Sequence, residues 1–517
     1  MTETALYRHT LGDLLRRTRQ RFPHKLAIRC GAVDWTYAEF DDTVSALAGG
    51  LAQQGVVLGD RVAVIARNSH AFAALRFAVA RLGAVLVPIN FMLNAEEAHY
   101  ILAHSGATVL CTDSGFAELG RQASQGTAVR HHVWLPGEHA SEPVPGLLRF
   151  DQLLCPQHSP SPDLDARMLA QIIYTSGTES RPKGAMLTHE AVIAEYVTCL
   201  VDAEIAERDT LLHALPLYHC AQLDVFFGPA VYVGATSIIT GAPTPDNILT
   251  LLQANAVSSF FAPPTVWIGL LRAPQFDATD LSRLNKGYYG ASIMPVAVLQ
   301  EMQHRLPQVR LWNLYGQTEI APVATVLKPE DQLRKAGSAG RAALNIETRV
   351  VDDAMNDVPV GQIGEIVHRS PQLLRGYYHD DERTAAAFAG GWFHSGDLGI
   401  VDAEGYLTVV DRKKDMIKSG GENVSSREVE EALYAVPGVS EVAVIGLPDA
   451  KWIEAVTAVI VPKAGVQLNE AEVIAACAQR LAHFKTPKRV ILTDALPKNP
   501  SGKLLKRELR LRYAAGA

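Results

Sequence analysis

The residues best suited to chemistry lie at 174–184, which read Y-T-S-G-T-E-S-R-P-K-G directly after the apolar run 169–173. A strand that opens into a loop of Thr, Ser and Gly with a lysine offers hydroxyls, uncovered backbone N–H groups and a mobile cation, which is what a polyphosphate needs. The loop is not of the Walker type, because Gly184 follows Lys183 where a Ser or Thr should bind the metal. The bland alternative is a polar surface turn. Four more polar segments follow in order: L-Y-G-Q-T-E at 314–319, H-S-G-D at 394–397, D-R-K-K-D-M-I-K-S-G-G-E-N-V at 411–424 and P-K-N-P-S-G-K at 497–503. Each by itself is a turn with a few polar residues. G-x-G-x-x-G and H-E-x-x-H are both absent, which removes dinucleotide dehydrogenases and zinc proteases.

The elements that must position these segments alternate between helical and strand patterns. Thr10 can cap a helix over 11–21, and W-T-Y at 35–37 opens another that runs to about residue 54. A strand at 61–66, a helix at 71–81 and a strand at 84–88 give a β–α–β rhythm, which predicts a mostly parallel sheet covered by helices. The stretch 155–163 reads as a linker, and 347–407, rich in glycine, as a small β-rich subdomain. The chain restarts near 411–414 as a compact unit: Ser425 and Glu428 have capping-box spacing, and strands at 442–447, 455–461 and 489–492 surround a helix after Asn469. The fold class expected is therefore α/β. A large N-terminal domain (1–411) of doubly wound subdomains plus the β-rich one precedes a small mobile α+β domain (412–517).

Composition narrows the partners. Of 517 residues 48% are apolar and 20% charged, ordinary globular usage that excludes extensive disorder. A net charge of −7 gives no electrostatic case for nucleic acid or an anionic membrane. The six cysteines form no C-x-x-C pair, so reduced thiols in a cytoplasmic protein are expected. Residues 1–21 lack the apolar core of a signal peptide, and the most apolar stretches (72–88 and 223–239) are interrupted by charge, Gly or Pro, so no transmembrane segment is expected. Oligomeric state is open, a homodimer being one reading.

Together, in this order and at these spacings, the five segments resemble the adenylate-forming superfamily: acyl-CoA synthetases, firefly luciferase and peptide-synthetase adenylation domains. The resemblance covers nearly the whole chain and is strongest to bacterial fatty-acid–CoA ligases. It implies that a carboxylate first joins ATP to give an acyl-adenylate and pyrophosphate, and that a thiol then displaces AMP. By the family's pattern Thr175, Ser176, Gly177, Thr178 and Lys183 hold the β- and γ-phosphates. Thr318 contacts the α-phosphate, and Glu319 ligates Mg2+. Gly290, Ala291, Asn313, Tyr315 and Gly316 border the nucleotide, and Asp397 with Arg412 takes the ribose. Lys503 is the implied adenylation lysine, whose ammonium bridges the attacking carboxylate and the α-phosphate. Lys414 is the implied hinge about which the C-terminal domain turns to present Lys418, Gly420 and Gly421 to coenzyme A. One departure is Glu179 with Ser180 in the phosphate loop, where many members have Thr and Gly.

The acid pocket is implied between P-L-Y-H at 216–219 and Y-Y-G-A-S at 288–292, with His219 as the pocket histidine. A helix after it would line the pocket with Phe226 and Phe227; with Tyr232 these favour an apolar acyl or aryl group. Asp224 is either a helix-terminal charge or a partner for a cationic substrate, and Tyr288 and Tyr289 would narrow the pocket if they point inward. The leading reading is an ATP-dependent acid–CoA ligase for medium- to long-chain fatty acids. Aryl-acid and carnitine- or betaine-type ligases, and a free-standing adenylation enzyme that loads a carrier protein, are the alternatives. A degenerate nucleotide-binding relative is disfavoured by Lys503, Glu319, Asp397 and Arg412 together.

Overall fold

The computed structural model describes residues 6–156, 162–175, 181–292, 294–413, 415–419, 422–449, 451–498 and 504–514. Its local structure follows the sequence signals closely at first. Thr36 caps the helix Tyr37–Gln53, accepting from Glu39 N–H while the Glu39 carboxylate reaches back, a reciprocal capping box. Ser69 accepts from Phe72 N–H to start the helix His70–Leu82, and Gly83 ends it in the left-handed region at φ +69°. That helix connects the parallel strands Arg61–Ile65 and Val85–Pro88, as the β–α–β rhythm predicts.

Two large sheets carry the N-terminal part. One has eight strands, running from Gly376–Tyr377 through Lys183–Thr188, Leu169–Thr175 and Val85–Pro88 to Leu148–Arg149. The other has nine, and its parallel centre includes Thr210–His213, Ser259–Phe261, Lys286–Gly290 and Arg310–Gly316. Every residue of the helix His70–Leu82 except Arg81 is buried, because it lies in a core that draws on both sheets, from Ile28 and Ile239 to Val62 and Leu86. A fully buried aliphatic or aromatic side chain in such a core contributes about 1.5–3 kcal/mol. The anticipated β-rich subdomain is a four-stranded antiparallel sheet of Glu347–Val351, Gly364–Arg369, Phe393–Val401 and Leu407–Arg412.

Beyond it a five-stranded sheet built on the long hairpin Val439–Asp449 and Ile453–Pro462 packs with helices Ser426–Tyr434, Glu470–Ala478 and Lys506–Ala514. Asp411 joins this unit to the four-stranded sheet: its carboxylate accepts both Ser426 N–H and Ser426 Oγ–H at 2.8 Å. The α/β expectation holds, with a large N-terminal part of mixed sheets and a small C-terminal one. The segment after His219 departs from it. Ala221–Phe227 is a π-helix that runs on into the α-helix Gly228–Val233. Pro229 has no N–H to give the carbonyl four residues back, which favours the wider winding there.

Candidate active site

The strands Lys286–Gly290 and Arg310–Gly316 run parallel with Gly290 opposite Leu314, and the chain then turns through the single 3₁₀ turn Thr318–Ile320 into the antiparallel strand Val323–Leu327. Both glycines are required by close approach: a Cβ on Gly290 would sit 2.4 Å from Leu314 O, and one on Gly316 1.8 Å from Pro322 O. Ala291, exposed at the end of its strand, takes φ +63°. Asn313 is held by Nδ2–H donation to Ser338 O at 2.9 Å. Beside it the Tyr315 hydroxyl donates to Asp397 Oδ2 at 2.7 Å, and Arg412 Nε lies 2.8 Å from Asp397 Oδ1. Burial and then the Asp397 charge hold the Tyr315 phenol well above its ordinary range, so it stays a donor. Asp397 and Arg412 are register partners across the antiparallel strands, which fixes this ion pair by backbone pairing.

A second group gathers at Glu319. Its buried carboxylate accepts from the Tyr377 hydroxyl at 3.1 Å, and Lys183 Nζ lies 5.0 Å from the centre of the Tyr377 ring. Lys183 and Thr175 are paired across the hairpin whose loop is the Thr/Ser/Gly segment, and Gly376–Tyr377 adds to that hairpin as an edge strand. Tyr377 therefore ties the lysine of that loop to Glu319. Beneath the turn, Glu195 accepts from Val323 N–H at 3.2 Å, while Gln372 Nε2–H donates to Glu195 and to the carbonyls of Ile320 and Val323. Burial pushes the Glu195 carboxyl well above its usual range. Among the described residues no cluster of three His, Cys, Asp or Glu could hold a metal. Glu319 as a lone hard carboxylate fits Mg2+, which usually binds one or two protein carboxylates and takes its other oxygens from phosphates and water.

The His219 side approaches from the other direction. Cys220 Sγ lies 3.3 Å from Thr318 Oγ1, and His219 Nδ1 accepts from Ala221 N–H at 3.2 Å. The contact of Cys220 with Thr318 thus brings the segment after His219 against the turn that carries Thr318 and Glu319.

Several expected pocket residues lie elsewhere. Asp224 stands in the first turn of the π-helix, as the helix-end reading expects, but it faces no solvent: it is fully buried and paired with Arg76 at 3.0 Å, with Gln171 and Tyr196 also donating to it. Tyr288 and Tyr289 are buried in two different cores, because neighbours on a strand point to opposite faces. The Tyr288 hydroxyl donates to Ala203 O at 2.8 Å and that of Tyr289 to Gln332 Oε1 at 2.7 Å. Phe227 packs edge-on against Phe77 and His213, and Tyr232 sits by His9 against the N-terminal helix.

Ser176, Gly177, Thr178, Glu179, Ser180, Lys414, Gly420, Gly421 and Lys503 lie outside the described residues. Lys418 is exposed on a hairpin of the C-terminal sheet, its backbone N–H donating to Glu454. Tyr377 was missed by sequence reasoning, since it stands in none of the five motifs.

Comparison with known proteins decides the family. The family model described as AMP-binding enzyme matches residues 15–378, and that for the AMP-binding enzyme C-terminal domain matches 428–503. The chain belongs to the AMP-binding enzyme family. This AMP-binding enzyme is an AMP-forming acid–CoA ligase, with a carboxylic acid, ATP and CoA as its substrates. It is 38% identical over 505 residues, 97% of this chain and 99% of the relative, to a feruloyl-CoA synthase from Amycolatopsis sp.. It is 36% identical over 488 residues, 93% and 94% of the two chains, to a long-chain-fatty-acid–CoA ligase from Mycobacterium tuberculosis. Among solved structures, an anthranilate CoA ligase in complex with anthranoyl-AMP superposes with a TM-score of 0.90 at 26% identity, covering 98% of this chain and 97% of that one. Among the described residues no helix is long and apolar enough to cross a membrane.

Proposed function

We propose that this ligase activates a compact aromatic acid, of the benzoate or cinnamate type. The observation that carries the reading is the aromatic stack between the π-helix after His219 and the strand Lys286–Gly290. Phe226 stacks on Phe261 with centroids 4.5 Å apart and leans on Tyr288 at 5.1 Å, and Tyr288 stacks on Trp312 at 5.1 Å. These rings are buried together in one core between the π-helix and the strand Lys286–Gly290, and in this reading they are the closed end of the acid pocket. The second reading is a medium- or long-chain fatty acid, favoured by the mycobacterial relative. A carnitine-type substrate loses its support, since Asp224 is committed to Arg76.

In this reading Thr175 to Lys183 grip the β- and γ-phosphates, Thr318 meets the α-phosphate, and Asp397 accepts from the ribose hydroxyls while Tyr315 and Arg412 hold it. Glu319 would hold Mg2+, whose charge offsets that of the triphosphate when bound. A carboxylate oxygen of the acid attacks the α-phosphorus and the bond to pyrophosphate breaks; Lys503 is assigned to stabilise the charge that develops. The CoA thiol then gives up its proton and its sulfur attacks the acyl carbon, releasing AMP. The domain boundary at 411/412, the Lys414 hinge and CoA contacts at Lys418, Gly420 and Gly421 complete the assignment.

The test is pyrophosphate release measured acid by acid, with benzoate, cinnamate, hydroxycinnamates and the straight-chain series from butyrate to palmitate. The proposal expects kcat/KM to peak among the aromatic acids. A peak at laurate or beyond would install the fatty-acid reading in its place.

A further inference from the structure

We propose that the buried Arg76–Asp224 ion pair is a positioning device for adenylation, locking the π-helix that follows His219 to the strand that feeds the phosphate loop. The inference rests on the assignment of Thr175–Lys183 to the triphosphate and His219 to the acid.

Asp224 and Arg76 are 0% and 1% exposed. Arg76 Nη2 donates to Asp224 Oδ1 at 3.0 Å, the Tyr196 hydroxyl to the same oxygen at 3.2 Å, and Gln171 Nε2 to Oδ2 at 2.7 Å. The donors come from three elements: the helices His70–Leu82 and His189–Asp202, and the strand Leu169–Thr175 of the eight-stranded sheet. The acceptor sits on the π-helix, whose first neighbour Cys220 touches Thr318. One carboxylate thus references the acid side of the site to the strand that ends at Thr175.

Stability alone does not account for this pair. Desolvating two charges is expensive, and a buried ion pair is often matched or bettered by well-packed apolar side chains of similar volume. What apolar packing does not supply is direction. Three hydrogen bonds fix Asp224 along defined vectors, whereas the apolar faces of a π-helix can slide. A shift of about 1 Å in a reacting group costs up to a hundredfold in rate.

The experiment uses two double variants of the full chain, Arg76→Met with Asp224→Leu and Arg76→Gln with Asp224→Asn. The Met/Leu pair keeps the volume and drops the directed bonds; the Gln/Asn pair keeps neutral hydrogen bonds. We expect the Met/Leu variant to melt within about 3 °C of the parent and to lose adenylation kcat by about tenfold or more. Its KM values for ATP and acid should stay within about threefold, and the Gln/Asn variant should regain most of the rate. Hydrogen exchange of the unliganded chain gives a readout that needs no substrate: amides at 171–175 and 219–227 should quicken together in the Met/Leu variant while the rest of the core stays protected. A Met/Leu variant with the parent's rate or exchange pattern would overturn the proposal. So would failure of both variants to fold, which would make the pair a stability element. If the parent itself adenylates no acid, the functional reading fails, and the exchange pattern alone then decides the inference.

Discussion

The Tyr315 hydroxyl donates to one oxygen of Asp397 at 2.7 Å while Arg412 Nε sits 2.8 Å from the other. The two donors orient the carboxylate and leave each oxygen a further lone pair, so two vicinal hydroxyls of a sugar can donate to it without displacing either. Asp397→Ala should then weaken ATP binding by about 1.5–3 kcal/mol, the usual worth of a hydrogen bond to a charged group. Titration calorimetry with ATP checks it. Unchanged affinity would remove Asp397 from the ribose site.

Tyr377 links Lys183 directly to Glu319, the two residues assigned to the phosphates and the metal. Tyr377→Phe deletes one hydrogen bond to the Glu319 carboxylate and keeps the ring under Lys183. The expected result is a higher Mg2+ concentration for half-maximal rate, with stability changed by about 1–3 kcal/mol. A Mg2+ dependence identical to the parent's would separate Glu319 from the metal.

Lys503→Ala should abolish acyl-adenylate formation while thioester formation from synthetic acyl-AMP and CoA continues. The two half-reactions are assayed separately. Equal loss of both would contradict the division of labour assigned to the C-terminal domain.

The aromatic stack gives a size prediction. Phe226→Ala removes the ring wedged between Phe261 and Tyr288, at a stability cost of about 3–5 kcal/mol. Where the variant folds, acids one or two rings or several methylenes longer should gain in kcat/KM relative to the parent's preferred acid. A narrowed or unchanged range would mean that the stack does not bound the pocket.

Buried histidines set the acid side of the stability profile. Burial lowers His213 and His189 to about 3 and His368 to about 4, below the ordinary value near 6.5. The unfolded chain takes up protons at these groups that the folded chain refuses, so stability is full above pH about 6.5 and falls as pH drops toward about 4. His213 shows why: Nδ1 accepts from Gln222 Nε2–H at 2.7 Å, which leaves its Nε2–H for Ser237 Oγ at 3.1 Å, a pattern only the neutral ring can make. Thermal scans from pH 7 to pH 4 should show a falling midpoint, less steep in His213→Gln.

The motifs were legible because each is a run of neighbouring residues whose type and order survive without the fold, and the elements around them because caps and β–α–β spacing are local signals. What was not legible is pairing across long separations. Arg76 and Asp224 are 148 residues apart, and Tyr377 and Glu319 58 apart. Nothing near Asp224 in the chain announces an arginine from another layer, so its place in a first helical turn was legible and its buried partner was not. For Tyr288 and Tyr289 the alternation along a strand already places the two rings on opposite faces, while which face meets the pocket was not legible.

The most direct measurement is one competition reaction containing the enzyme, ATP, Mg2+, CoA and equal amounts of benzoate, cinnamate, ferulate, octanoate, palmitate and carnitine, read by mass spectrometry of the acyl-CoA products. The account predicts an aromatic acyl-CoA as the dominant product. A palmitoyl- or octanoyl-CoA majority would contradict it.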